Sequence, residues 1–156
     1  MDGYQALTAL IESAWEQLEN SDTGRRDLCL DFVSDILETG RLTQADAERV
    51  VERLVTVALS DESYALRESA LHAVCTASTR HELPFRVAEP LAVGVDRFEP
   101  LLLSYVLGIL CDTHDQAALP VVERFLHHPH PEVSGEAAEA AAELRRRREP
   151  AQDKTA

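Results

Sequence analysis

The sequence predicts an all-α fold, a short right-handed stack of helical hairpins, and three observations carry that expectation. Apolar residues recur at three- and four-residue spacing along most of the chain, and Pro, Gly and short polar clusters divide the pattern into eight segments. One phrase repeats: residues 60–74, with Leu66, Arg67, Ala70, Leu71 and Val74, are echoed by residues 128–141, and more faintly from Thr23 through Arg26, Cys29, Leu30 and Val33. Hydrophobic residues make up 45% of the chain but aromatics only 5%. A core built mainly of Leu, Val and Ala suits close helix packing better than a β-sandwich.

The first helix is expected over about residues 5–20, with Leu7, Leu10, Ile11, Ala14, Trp15 and Leu18 as its apolar face. The polar cluster 20–24 ends it. A second follows over about 25–38 with Leu28, Cys29, Phe32, Val33, Ile36 and Leu37 apolar. Thr43 with Asp46 three residues on forms a capping pair for a third, about 44–59, which buries Ala47, Val50, Val51, Leu54, Val55 and Ala58. Asp61 or Ser63 starts the fourth, about 63–78. Its inward face of Leu66, Ala70, Ala73, Val74 and Ala77 is widened by Leu71 and Cys75, as a helix covered on two sides requires. Pro84 opens a shorter fifth segment that ends near Gly94. Pro100 begins a sixth that is apolar nearly all round and therefore central, with Ser104 and Gly108 small enough to admit a close neighbour. Asp115 begins the seventh, which carries Pro120 near its first turn, and the run from His127 to Pro131 breaks it. The eighth, about 131–147, turns Val133, Ala137, Ala140, Ala141 and Leu144 inward and ends in four arginines, which complement the negative end of the helix dipole. Residues 149–156 are expected to form a disordered tail, leaving 1–148 as one domain.

At 156 residues the chain is large enough to bury a core without metal or disulfide staples. Lys and Arg number 15 against 28 Asp and Glu, a formal net charge of −13. Five of the basic residues, Arg145, Arg146, Arg147, Arg148 and Lys154, lie at the C-terminus, so residues 1–144 carry 10 basic and 26 acidic groups, a net of −16. A body of that charge repels phosphate backbones and attracts a basic protein, so nucleic acid is not an expected partner. Cys29, Cys75 and Cys111 are dispersed in apolar segments with no framework or metal spacing, and are expected to be buried thiols in a reducing compartment. No leader with a basic and an apolar region opens the sequence, and the longest apolar run, 101–110, is too short to span a bilayer. A cytoplasmic location and no membrane partner follow as expectations.

The segments pair into four hairpins, 5–38, 43–78, 84–112 and 115–147. In this respect the chain resembles HEAT repeats, whose second helix opens with a turn and an Asp, then Val-Arg, then Ala and Leu. Asp61, Leu66, Arg67, Ala70, Leu71 and Val74 match that pattern, whereas residues 129–144 keep its rhythm with Ser134 where the family's arginine stands, and the third hairpin is divergent. The resemblance implies an α-solenoid in which the second helices line a concave surface. It specifies architecture far better than activity.

Two acidic ladders are the chemistry above background. Asp27, Asp31, Asp35 and Glu38 are spaced four, four and three residues apart and share one face of the second helix. Glu136, Glu139 and Glu143, preceded by Glu132, do the same on the eighth. Aligning the repeats on Arg26, Arg67 and Ser134 puts Asp31, His72 and Glu139 in one column and Asp35, Thr76 and Glu143 in another. The expected site is thus a carboxylate-lined surface, with Asp27, Asp31, Asp35, Glu38, His72, Glu136, Glu139 and Glu143 as its partner-binding residues, suited to arginines whose planar fork matches a carboxylate. A solvated acidic face explains the same spacing without function. His127, His128 and His130 with His114 are better explained as a proline-stiffened turn than as a metal site, so no metal or cofactor is expected. No nucleophile elbow, phosphate loop or zinc-protease motif is present, and Cys111 beside His114 continues an apolar helix.

The expected function is non-catalytic protein binding through an acidic surface, in its most concrete form an immunity protein or inhibitor that neutralises a basic effector such as a nuclease toxin. An assembly scaffold or regulatory adaptor is the alternative. A nucleic-acid-acting enzyme of HEAT-like architecture ranks below both, because its groove would have to be basic.

Overall fold

The computed structural model describes residues 3–20, 23–60 and 62–148. Residues 1–2, 21–22, 61 and 149–156 lie outside the described residues, and with them the expected disordered tail and the Asp61 helix start. Eight α-helices and two 3₁₀ turns make up the regular structure, and no strand occurs among the described residues. The all-α expectation therefore holds. The backbone groups into two compact units, Met1–Leu83 and Pro84–Ala156.

The first unit contains α1 (Gly3–Asn20), α2 (Thr23–Glu38), α3 (Gln44–Leu59) and α4 (Tyr64–Ser78). Helix α1 packs on α2 and α3 on α4, and the two hairpins join through α2 against α4. Small side chains permit this. Ala70, Ala73 and Ala77 of α4 are fully buried, as are Leu66, Leu71 and Val74, so α4 is covered on two sides. Local chemistry sets the boundaries. The Thr43 hydroxyl accepts from the Asp46 amide at 3.2 Å and contacts its carboxylate at 2.9 Å, while Ser63 accepts from the Leu66 amide at 3.3 Å. Gly40, at φ +66°, turns the chain out of α2 in a conformation that favours glycine.

One device appears in both hairpins. Arg26 Nε donates to the Leu18 carbonyl at 2.8 Å, and Arg67 Nε donates to the Ala58 carbonyl at 3.1 Å. Each arginine sits early in a second helix and satisfies a carbonyl in the last turn of the first helix, where no intrahelical donor exists. Arg26 is also held by both carboxylate oxygens of Glu62.

The second unit contains α5 (Phe85–Val93), a 3₁₀ turn (Val95–Arg97), α6 (Pro100–Asp112), a second 3₁₀ turn (Gln116–Ala118), α7 (Leu119–Glu123) and α8 (Pro131–Arg148). Helix α6 packs against α8, α5 against α6 and α7 against α8, so second helices again make the main contact. The expected seventh helix is broken up. Asp115 caps the 3₁₀ turn by accepting from the Ala117 amide at 2.8 Å, and Pro120 lies in the first turn of a five-residue α7. His114, at φ 55°, makes the left-handed turn after α6 that Gly40 makes after α2.

One sequence expectation changes at α6. Leu101 is 46% exposed although the helix looked apolar all round. The space at Gly108 is occupied by a side chain, with Glu136 Oε1 lying 3.2 Å from where a Cβ would sit. On α8, by contrast, nothing lies within 4 Å of a Cβ added at Gly135. Gly135→Ala should therefore stabilise the protein by about 0.5–1 kcal/mol, measurable as a Tm rise of a few degrees; an unchanged or lower Tm would mean that α8 does not behave as a helix with an open outer face at this position.

Candidate partner-binding surface

The ladder on α2 divides by role. Asp27 turns toward α4 and accepts from the Ser69 hydroxyl, and the Ser34 hydroxyl lies 3.2 Å from that of Thr76. These two contacts join residues separated by 42 positions in each case, so α2 and α4 run parallel at constant register. Asp31 consequently lies level with His72 and Ala73. Asp31, Asp35, Glu38 and His72 are all exposed, and the three carboxylates make no hydrogen bond or ion pair with a described residue. The structure thus leaves Asp31, Asp35, Glu38 and His72 available at the surface of one unit and assigns Asp27 to holding two helices together.

The α8 ladder divides in the same way. Glu136 is half-buried over Gly108, and its carboxyl is pushed above its ordinary value by burial first, then by Glu139 and Asp112. Glu143 is held by Arg146 and, at 2.9 Å, by Arg147, and these hydrogen bonds and charges lower its pKa. Arg145 reaches Glu123 at 3.6 Å. Glu139 alone of the three is exposed. Ionised Glu136 therefore works against the fold. A carboxyl whose folded pKa is raised favours folding while protonated and loses that contribution as pH rises through the folded value. Glu136→Gln should raise stability at pH 7 by a few tenths of a kcal/mol, roughly the worth of one like-charge pair, and make no gain at pH 4; thermal melts at both pH values check this, and a loss at pH 7 would contradict it.

What periodicity missed is apolar. Leu10, Leu28 and Phe32, all counted in the apolar patterns of their helices, are 46%, 66% and 40% exposed, while Leu30 is buried. They line a surface groove of about 680 Å³ between α1 and α2, with Ala14, Cys29 and Arg25. The reason is geometric. Seven apolar residues on α2 cannot all face inward, and the α4 contact draws Leu30 and Val33 inward, leaving Leu28 and Phe32 outside. At about 100° per residue, Leu28 and Asp35 lie within about 20° of one another on the helix, and that proximity to an aspartate was the available signal.

Several other polar groups are held by neighbours, while the buried His81 Nε2 and His130 Nδ1 have no hydrogen-bond partner among the described residues. In a cleft of about 660 Å³ near Trp15 and Asp46 both arginines are engaged: Arg49 holds Asp46, and Arg53 stacks 4.7 Å over the Trp15 ring and reaches Glu19 at 3.2 Å. The Cys111 thiol is pushed up to about 11, chiefly by burial, and lies 3.9 Å from the Ala140 carbonyl, which makes it a poor nucleophile. His128 Nδ1 accepts from the His130 amide at 3.1 Å, and among the described residues no group of three His, Cys, Asp or Glu is arranged to hold a metal ion. No described helix is long and apolar enough to cross a membrane.

No protein-family model matches the chain, and no curated protein matches it either.

Proposed function

We propose that this chain is a non-catalytic protein-binding module, built of HEAT-like hairpins, that takes a basic protein partner on its acidic helix faces. The carrying observation is the row of exposed carboxylates Asp31, Asp35 and Glu38, unpaired among the described residues, on a chain of net charge −13. Uncompensated acid at one face costs helix stability and speeds encounter with a basic surface. The matched tethers of Arg26 and Arg67 support the repeat alignment, since both stand where the family's arginine stands. In its most concrete form the module is a cytoplasmic immunity protein or inhibitor that covers the phosphate-binding site of a basic effector such as a nuclease toxin.

A second reading, an assembly scaffold or regulatory adaptor, is favoured by the exposure of Leu10, Leu28 and Phe32. Capture from native lysate at low and high salt separates the two. The inhibitor reading expects one basic protein, retained by wild type at low salt and lost in high salt or by Asp31→Lys/Asp35→Lys. Partners held equally by both proteins in both salts would favour the scaffold.

A further inference from the structure

Three features place apolar and acidic groups together on the outer side of the first hairpin. Leu10 of α1 and Leu28 and Phe32 of α2 floor the groove. Asp35 and Asp31 follow Leu28 around α2 on the side away from α1, by about 20° and 60° of helix rotation, and both are exposed. Arg25, near the start of α2, also lines the groove, and α1 contributes Ser13 and Gln17 to it. The groove thus has an apolar floor, and the exposed acid lies beside it on the neighbouring surface of α2.

A second copy of the chain is a poor occupant. In a symmetric dimer the acidic surface beside the groove would meet its own copy, with no basic surface opposite it. Each copy would also bring a net charge of −13 against the other. An extended strand is no better served, because an α-helical face offers no unpaired backbone edge for it. Two antiparallel helices with apolar residues one turn apart do accommodate a third helix, whose own apolar residues recur at the same spacing.

We propose that the α1–α2 groove receives one amphipathic helix of the basic partner, with its apolar residues on Leu10, Leu28 and Phe32 and its lysines or arginines on the Asp31 and Asp35 flank. This rests on the binding of a basic protein proposed above and names the contact surface. It also explains why apolar residues remain uncovered on an otherwise acidic helix: the carboxylates attract and orient the partner, and the apolar floor retains it.

The test is an NMR titration of the whole protein with a synthetic helix-forming peptide that carries leucines at i, i+3, i+4 and i+7 and lysines along one flank. A control peptide has the same leucines with glutamates in place of the lysines. The expected result is shift changes concentrated around Leu10, Leu28 and Phe32, with affinity reduced about tenfold or more by Leu28→Ser/Phe32→Ser and by Asp31→Lys/Asp35→Lys, and no binding of the control. Circular dichroism and Tm confirm that the variants fold, which the exposure of all four positions favours. Shift changes elsewhere, undiminished binding by Leu28→Ser/Phe32→Ser, or no binding of the lysine peptide overturns the proposal. Concentration-dependent dimerisation of wild type, abolished by the same double substitution, overturns it in favour of a second copy. If the basic partner is lost by Asp31→Lys/Asp35→Lys but kept by Leu28→Ser/Phe32→Ser, the acidic reading stands and the groove proposal alone falls.

Discussion

Leu71→Ala is expected to destabilise the protein by about 3–4 kcal/mol, the largest effect of any single substitution considered. Leu71 is completely buried on α4, the helix that packs against both α2 and α3. Three neighbouring alanines, Ala70, Ala73 and Ala77, already bring the backbones close, so the surrounding structure has little room to collapse into the space vacated. Leu28→Ala is the matched control. Both leucines lie in helices of the same unit and both fit an apolar periodicity, yet Leu28 is 66% exposed and its truncation should cost no more than about 0.5 kcal/mol. Chemical denaturation of the two variants measures the contrast. Equal losses would mean that the side of α2 assigned to the surface is in fact covered.

The second large effect is expected at Arg26. Its guanidinium joins the Leu18 carbonyl to the Glu62 carboxylate in a site where the two side chains are only 22% and 31% exposed. Arg26→Ala leaves a carbonyl and a part-buried carboxylate without their donor, at a cost of about 2 kcal/mol. Arg26→Lys should recover little, since one ammonium cannot reach a carbonyl and both carboxylate oxygens in the same geometry. The pH dependence adds a check. The hydrogen bond from Arg26 holds Glu62 below its ordinary value of 4.5. A depressed carboxylate contributes its full stability above the ordinary value and loses it as pH falls through the folded one. The difference between wild type and Arg26→Ala should therefore be greatest near pH 7 and shrink below pH 4. A difference that is constant with pH would assign the loss to packing alone.

Much of the helix framework was legible in the sequence because the local and the packing signals agreed. Thr43, Asp46 and Ser63 cap where their chemistry says they should, and the alanine-rich stripe of α4 is buried as its two-sided pattern requires. The failures occur where two demands compete for one helix. On α2, inward-facing pressure from α1 and α4 selected Leu30 over Leu28 and Phe32, a choice that depends on where α4 lies and so is invisible to the periodicity of α2 alone. The seventh helix is only five residues long after a 3₁₀ turn, and residues 124–126 follow it with i→i+3 backbone bonds, a tightening that apolar spacing does not report. The eight residues expected to bind a partner separate for a related reason. Spacing places carboxylates on a face, but Asp27, Glu136 and Glu143 have neighbours there, Ser69, Gly108 and the arginines of α8 respectively, and only the remaining five are exposed. Helix periodicity reports direction, and tertiary neighbours decide use.

The central claim, that exposed acid on α2 recruits a basic protein, is tested most directly by the association rate of the captured partner as a function of ionic strength, for wild type and for Asp31→Lys/Asp35→Lys. Opposite charges across the encounter predict a rate that falls steeply with salt for wild type, and a slower rate with a flatter salt dependence for the variant. Equal rates for the two proteins, unmoved by salt, would contradict it.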